Sequence, residues 1–361
     1  MVDVNIARNK GEWSEVYAFL KLIAERRIVG AKNDALDPDP SQCLSILNVG
    51  RSDIVAVLED MVTLKSTQTG LEVAKSSYAK VANEAQLLLE AIRRGGNASF
   101  SIPGTAGYLN ALGCSHIAAS NQDKRDICIG VSDHHVGGEY NYGFSIKSDL
   151  GSPPTLLNAS GATNIVFALD PKMGGQDLLD GNAIETRTKI MDRSRFLLRN
   201  CSAIRFHEFQ SKVFLDNLRL LDDGMPQIVA ALVYARYFGN SHDYSCNELL
   251  KQVSHDNPCK YSVSPLNYYE IKLGRFLEAI ALGMKPSQHW GGETDATGGY
   301  LIVKKDGELT AFYIYNRDRF RKYLVNNTRL ELASTTRHGF MHIWRDAGKY
   351  FVKLNLQIRF V

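Results

Sequence analysis

Two short apolar segments each hold one charged side chain that should not be idle. The first is Lys124-Arg125-Asp126-Ile127-Cys128-Ile129-Gly130-Val131, and the second is Gly143-Phe144-Ser145-Ile146-Lys147-Ser148. Both read as strands, with Asp126 opening one and Lys147 inside the other. Period-two alternation puts Ser145 and Lys147 on the same face, and a loop joining the strands brings Asp126 beside Lys147. A carboxylate next to an ammonium suits metal-dependent phosphodiester hydrolysis. The acid holds a divalent ion that polarises the phosphate, while the amine positions or deprotonates a water. The same pair also fits an ordinary surface ion pair, which weighs little energetically.

A second acid comes from the first strong helical pattern, residues 13–28, where Val16, Phe19, Leu20, Ile23 and Ala24 recur at helical spacing. Asn9 is its expected cap, with Glu12 three residues on. Glu15 borders the apolar face through Phe19 and Leu22, where an acid is either paired or functional. Glu15 is favoured as the additional metal-binding carboxylate. Glu12, which neighbours Val16 and Phe19, stays open as the alternative.

The hairpin resembles that of the PD-(D/E)XK nucleases, with Arg125 where the motif has proline and Ser145 where it has its second acid. Three longer stretches make the resemblance more specific: residues 9–28 (NKGEWSEVYAFLKLIAERRI), 143–167 (GFSIKSDLGSPPTLLNASGATNIVF) and 334–360 (STTRHGFMHIW to GKYFVKLNLQIRF). Together with the GGYLIVKKDGEL hairpin, they are similar in order and over nearly the whole chain to the HpaII-like type II restriction endonucleases. The resemblance implies an α/β fold with a PD-(D/E)XK core, a mixed sheet flanked by helices. It further implies Mg2+-dependent cleavage of double-stranded DNA at CCGG. Lys147 maps to the catalytic lysine, Asp126 to the preceding strand acid, and Ser145 to a serine the closer relatives share. A replacement acid about a dozen residues after the Lys-Ser pair, as some CCGG cutters have, is absent from residues 158–161. A cytosine methyltransferase is the implied genetic partner. A palindromic target suits a homodimer, with a monomer nicking each strand in turn as the alternative.

The whole-chain charge of +3 gives no hint of DNA. It hides an asymmetry, because residues 299–361 hold twelve Lys and Arg against five acids, +7, on a body of −4. Such cations would neutralise phosphates, while guanine is read by Arg or Lys and cytosine by an acceptor. Candidate DNA contacts are Arg337 and His338 in the polar run 334–338, and Gln357 and Arg359, which with Asn355 alternate along the last expected strand. Asn158 and Ser160, close after Lys147, are the candidates nearest the scissile strand, and Ser148 is a further candidate DNA contact. Arg337 and Arg359 would equally bind phosphate or a neighbouring acid, and Asn158 would suit a local turn.

The remaining sequence limits the choices. A chain of 361 residues with 44% hydrophobic and 22% charged residues is ample for two or three domains. No apolar run approaches a membrane span and the start lacks a signal-like segment, so a cytoplasmic protein is the expectation. The six cysteines are scattered without zinc-site spacing and read as reduced core thiols. His134-His135 would point to opposite faces of a strand, residues 289–293 lack the Lys-Ser/Thr of a phosphate loop, and no nucleophile elbow occurs. The expected organisation is a nuclease core with N-terminal helices over 1–182, a mainly helical segment over 183–297, and a basic, β-rich, DNA-contacting region over 298–361. Further expectations are a helix over 71–94 stopped by Gly95-Gly96, a short turn or helix at 155–158, strands at 99–102, 116–119 and 165–168, and a hairpin turning at Asp306-Gly307. Two competing classes remain: a DNA-binding protein with a decayed nuclease fold, prompted by Ser145, and a repair or structure-specific nuclease without sequence specificity.

Overall fold

The computed structural model describes residue 3 and residues 5–96, 98–114, 125–133, 137–174, 176–239, 241–333 and 339–361. It is a mixed α/β protein whose chain divides into two compact units: Met1–Pro154 with Ala281–Gly283 and Thr294–Phe320, and Thr155–Ile280 with Met284–Glu293 and Arg321–Val361. The three segments expected from the sequence do not coincide with these units. In particular, the hairpin Gly299–Val303 and Leu309–Tyr313 is buried at every residue and belongs to the first unit's sheet. Its apolar residues fill both faces, the pattern of a central strand.

The first unit is built on a nine-stranded sheet. Its order is Arg27–Ala31, Leu309–Tyr313, Gly299–Val303, Glu139–Ser148, Ile127–Ser132, Pro38–Arg51, Ile54–Leu58, Val62–Ser66 and Glu72–Ser76. Arg27–Ala31 pairs also with Pro38–Arg51, so it is bonded along both edges. At the centre, Ile127–Ser132 and Glu139–Ser148 form an antiparallel pair, with Ile127 opposite Phe144. Gly299–Val303 then runs parallel to Glu139–Ser148, with Tyr300 opposite Ser145 and Ile302 opposite Lys147.

The first helix, Lys10–Glu25, begins two to three residues before the apolar repeat because Asn9 caps it: the Glu12 amide donates to Asn9 Oδ1 and the Asn9 amide to Glu12 Oε2, both at 3.0 Å. It ends at Arg26, whose φ of 57° is left-handed, and the β-branched Ile28 and Val29 continue as a strand. Trp13, Val16, Leu20 and Ile23 are fully buried. The second helix is shorter than expected. It spans Tyr78–Arg94 with Ser77 as its cap, and the residues before it form the strand Glu72–Ser76, where Val73 is 46% exposed. The five strands Arg27–Ala31, Pro38–Arg51, Ile54–Leu58, Val62–Ser66 and Glu72–Ser76 are not among the elements expected from the sequence.

In the second unit, Asn164–Pro171 is flanked by Cys201–Phe209 and Lys349–Asn355, with Ile343–Asp346 outside. A three-stranded antiparallel sheet is formed by Thr155–Leu157, Ile358–Phe360 and Thr328–Leu330. Residues 155–158, expected as a turn or helix, are therefore largely strand. The helices of the unit include Met225–Phe238 and Pro265–Leu282 at the expected places, but Cys201–Phe209 interrupts the expected helical run. Expected strand 116–119 and His134-His135 lie outside the described residues. Cys114, Cys201 and Cys246 are buried as expected, whereas Cys43 and Cys259 are half-buried and Cys128 is exposed rather than in the core. No helix among the described residues is long and apolar enough to cross a membrane.

Candidate active site

Asp126 is the residue before the strand Ile127–Ser132, and its own amide donates to the Phe144 carbonyl at 2.9 Å, extending the hairpin by one rung. That rung fixes the carboxylate against the facing strand. Asp126 Oδ2 accepts from the Ile146 amide at 2.6 Å and from the Ser145 hydroxyl at 3.2 Å. Ser145 thus orients the acid instead of supplying one. Lys147, two residues on along the same face, is half-buried, with its ammonium 5.8 Å from the Tyr300 ring centroid.

Glu15 joins this group from the first helix. Its Oε2 is 3.3 Å from Arg51 Nη2, and the two side chains are 20% and 5% exposed. Burial pushes the Glu15 carboxyl up to about 7, and the Asp126 charge pushes the same way. Arg51 and Lys147 oppose the rise. Burial also raises Asp126 above the usual carboxylate range, against Lys147, the Ile146 amide, Ser145 and Arg51. Two carboxylates, a lysine and an arginine therefore feel one another in a largely dry place. Glu12, by contrast, is held in its capping box and beside Arg8.

The chain as a whole, from its first helix to its last strand, matches a known family. A family model described as HpaII restriction endonuclease matches residues 9–360. The chain is 37% identical over 362 residues to the type II restriction enzyme HpaII of Haemophilus parainfluenzae, covering 98% of each chain. The chain belongs to the HpaII restriction endonuclease family. It is accordingly a restriction endonuclease, a site-specific deoxyribonuclease. No solved structure matches it.

Within this family member, the structure brings together Asp126, Ser145, Lys147 and Glu15, all in the first unit. Ser148 lies in the same unit but is buried. Its hydroxyl donates to Ser14 Oγ at 2.8 Å and so ties the Lys147 strand to the Glu15 helix. Asn158, Gln357 and Arg359 belong to the second unit, with Asn158 exposed and the other two half-buried. The last strand breaks after Asn355, which is buried and donates to Ser160 and Asn164, so Asn355 does not share an open face with Gln357 and Arg359. Arg337 and His338 lie outside the described residues. The residue that sequence reading missed is Arg51. Its one signal was a lone guanidinium ending a long alternating run, legible only once residues 38–51 are read as a strand.

Proposed function

We propose that this restriction endonuclease hydrolyses double-stranded DNA at CCGG in a Mg2+-dependent reaction, with Asp126, Glu15 and Lys147 at the centre and Ser145 in support. The observation that supports it most is the convergence of Asp126 and Glu15, from a strand end and a helix, on a group shared with Lys147. The strand-end acid, the lysine on the facing strand and the helix glutamate together favour a PD-(D/E)XK core. The donor set fits a hard divalent cation. Among the described residues no group of three or more His, Cys, Asp or Glu occurs, and Mg2+ characteristically takes one or two carboxylates plus water and phosphate oxygens. Type II restriction endonucleases generally use a divalent metal.

When bound, Mg2+ would be held by Asp126 and Glu15 and would supply charge stabilisation at the phosphate. The chain's own residues do the positioning. The Ile146 amide and Ser145 hold one oxygen of Asp126 and leave the other for the cation. Arg51 fixes Glu15 and favours its ionised form. Lys147, on the same strand face as Ser145, orients or deprotonates the attacking water and offsets charge developing on the phosphate. Asn158, Gln357, Arg337, His338 and Arg359 are the proposed DNA contacts, Ser148 acting through its bond to Ser14. A homodimer on the palindrome and a cytosine methyltransferase encoded nearby complete the proposal.

Digestion of a plasmid of known sequence with and without Mg2+ tests it. Discrete Mg2+-dependent fragments ending at CCGG are expected. A smear would point to a nuclease without sequence specificity, and bound but intact DNA to a decayed enzyme.

A further inference from the structure

In the second unit's three-stranded sheet, Arg359 sits on the middle strand, opposite Arg329 on one side and Thr155 on the other. Burial alternates along both strands: Ile358, Phe360, Thr328 and Leu330 are inside, leaving Arg359 and Arg329 half-buried on the opposite face. Two guanidiniums therefore face each other across an antiparallel pair, an arrangement that destabilises a sheet, since directly opposed side chains start about 5 Å apart.

The two are not equally compensated. Arg329 Nε and Nη2 both reach Glu331 Oε2, at 3.1 and 3.0 Å. Arg359 has no acid partner among the described residues, and its Nε is buried with no hydrogen-bond partner. A buried donor without an acceptor costs free energy, and here it sits within a like-charged pair. Among the described residues nothing offsets either cost. Arg359 as a whole is half-buried, and an external oxyanion placed at the pair would neutralise it.

We propose that Arg359 and Arg329 together seat one phosphate of the DNA backbone, with Glu331 holding Arg329 in place and Thr155 bordering the seat. The inference rests on the duplex-DNA reading above and assigns Arg359 a phosphate rather than a base. A tetrahedral oxyanion bridges two facing guanidiniums, whereas a guanine edge needs only one, in its plane. Arg329 enters as a new DNA contact.

The test is equilibrium binding of the full-length chain, without Mg2+, to two short duplexes, one containing CCGG and one lacking it, over a series of KCl concentrations. Arg359→Gln and Arg329→Gln are each expected to weaken binding to both duplexes by the same factor, about tenfold near 0.1 M salt. Each should also lower the slope of log K against log salt by about one. Arg359→Lys should keep the slope. Because Arg359→Gln removes like-charge repulsion, its melting temperature should equal or exceed that of the wild type. Wild-type affinity and slope in both glutamine variants would overturn the proposal while leaving duplex binding intact. A loss confined to the CCGG duplex would overturn it in favour of base reading. A lower melting temperature in Arg359→Gln would overturn it in favour of a role in the fold. No duplex binding by the wild type would overturn both this inference and the reading beneath it.

Discussion

Glu15 gains a proton on folding over a range where an ordinary carboxylate would have lost one. The unfolded chain releases it near 4.5 and the folded chain near 7. Stability should therefore fall as pH rises through this window, with the whole cost present above it. Glu15→Gln removes the ionisable group, so at pH 8 in EDTA its melting temperature should exceed the wild type's. The gain is on the order of 1–3 kcal/mol, and the pH dependence over this window should flatten. Arg51→Met should act oppositely. It leaves a buried carboxylate without its cation and should cost about 3 kcal/mol by urea unfolding at pH 8, most of it recovered in the Glu15→Gln/Arg51→Met double variant. Because a bound cation favours the ionised carboxylate, the midpoint of cleavage against pH should move to lower pH as Mg2+ is raised, and a midpoint independent of Mg2+ would detach Glu15 from the reaction. The sequence showed Asp126, Lys147 and Glu15 because each is a charge set in an apolar pattern. It could not show Arg51, whose role depends on a strand pairing 36 residues from Glu15.

The elements that hold these residues are specified unevenly. The first helix is fixed by local signals, its Asn9–Glu12 box and its apolar repeat, so its start was legible to within a few residues. Asn9→Ala should cost about 1 kcal/mol in chemical unfolding, with a smaller effect on cleavage because Ser14 and Trp13 still dock the helix on Ser148 and the Phe100 carbonyl. Its end was not legible. Residues 26–28 continue a helical pattern, and only the left-handed Arg26 and the pairing of Arg27–Ala31 on two neighbours turn them away. The strands from 27 to 76 were invisible for the same reason, since their stability comes from partners distant in sequence. Gly299, opposite Phe144, opens the strand that runs parallel to the Lys147 strand. Its φ is 115° and a Cβ there would lie 2.0 Å from the Phe312 carbonyl oxygen. Gly299→Ala should thus destabilise the fold by several kcal/mol, read as a lower melting temperature and loss of soluble protein.

At the scale of the molecule, the charge asymmetry of the sequence is real but its location is not where a linear reading puts it. The basic run from 299 onward is split, its first part serving the sheet that holds the candidate active site and the rest belonging to the second unit. Several of its cations are internally engaged: Arg319 with Asp39, Arg321 with Glu278, Arg329 with Glu331 and Lys304 with Asp306. Counting charges along the chain therefore overstates the cations left for phosphates. What the sequence did convey at this scale is family membership, because the motif-bearing stretches are spread from one end of the chain to the other. The direct test of the account is single-turnover cleavage of a duplex with one CCGG site in saturating Mg2+, comparing wild type with Asp126→Asn, Lys147→Ala, Glu15→Gln and Glu12→Gln. The first three variants should lose at least about a thousandfold in rate, each removing a group needed at the phosphate, while Glu12→Gln stays within about tenfold. Near wild-type cleavage by Lys147→Ala or Asp126→Asn, or a loss in Glu12→Gln as large as that in Glu15→Gln, would contradict it.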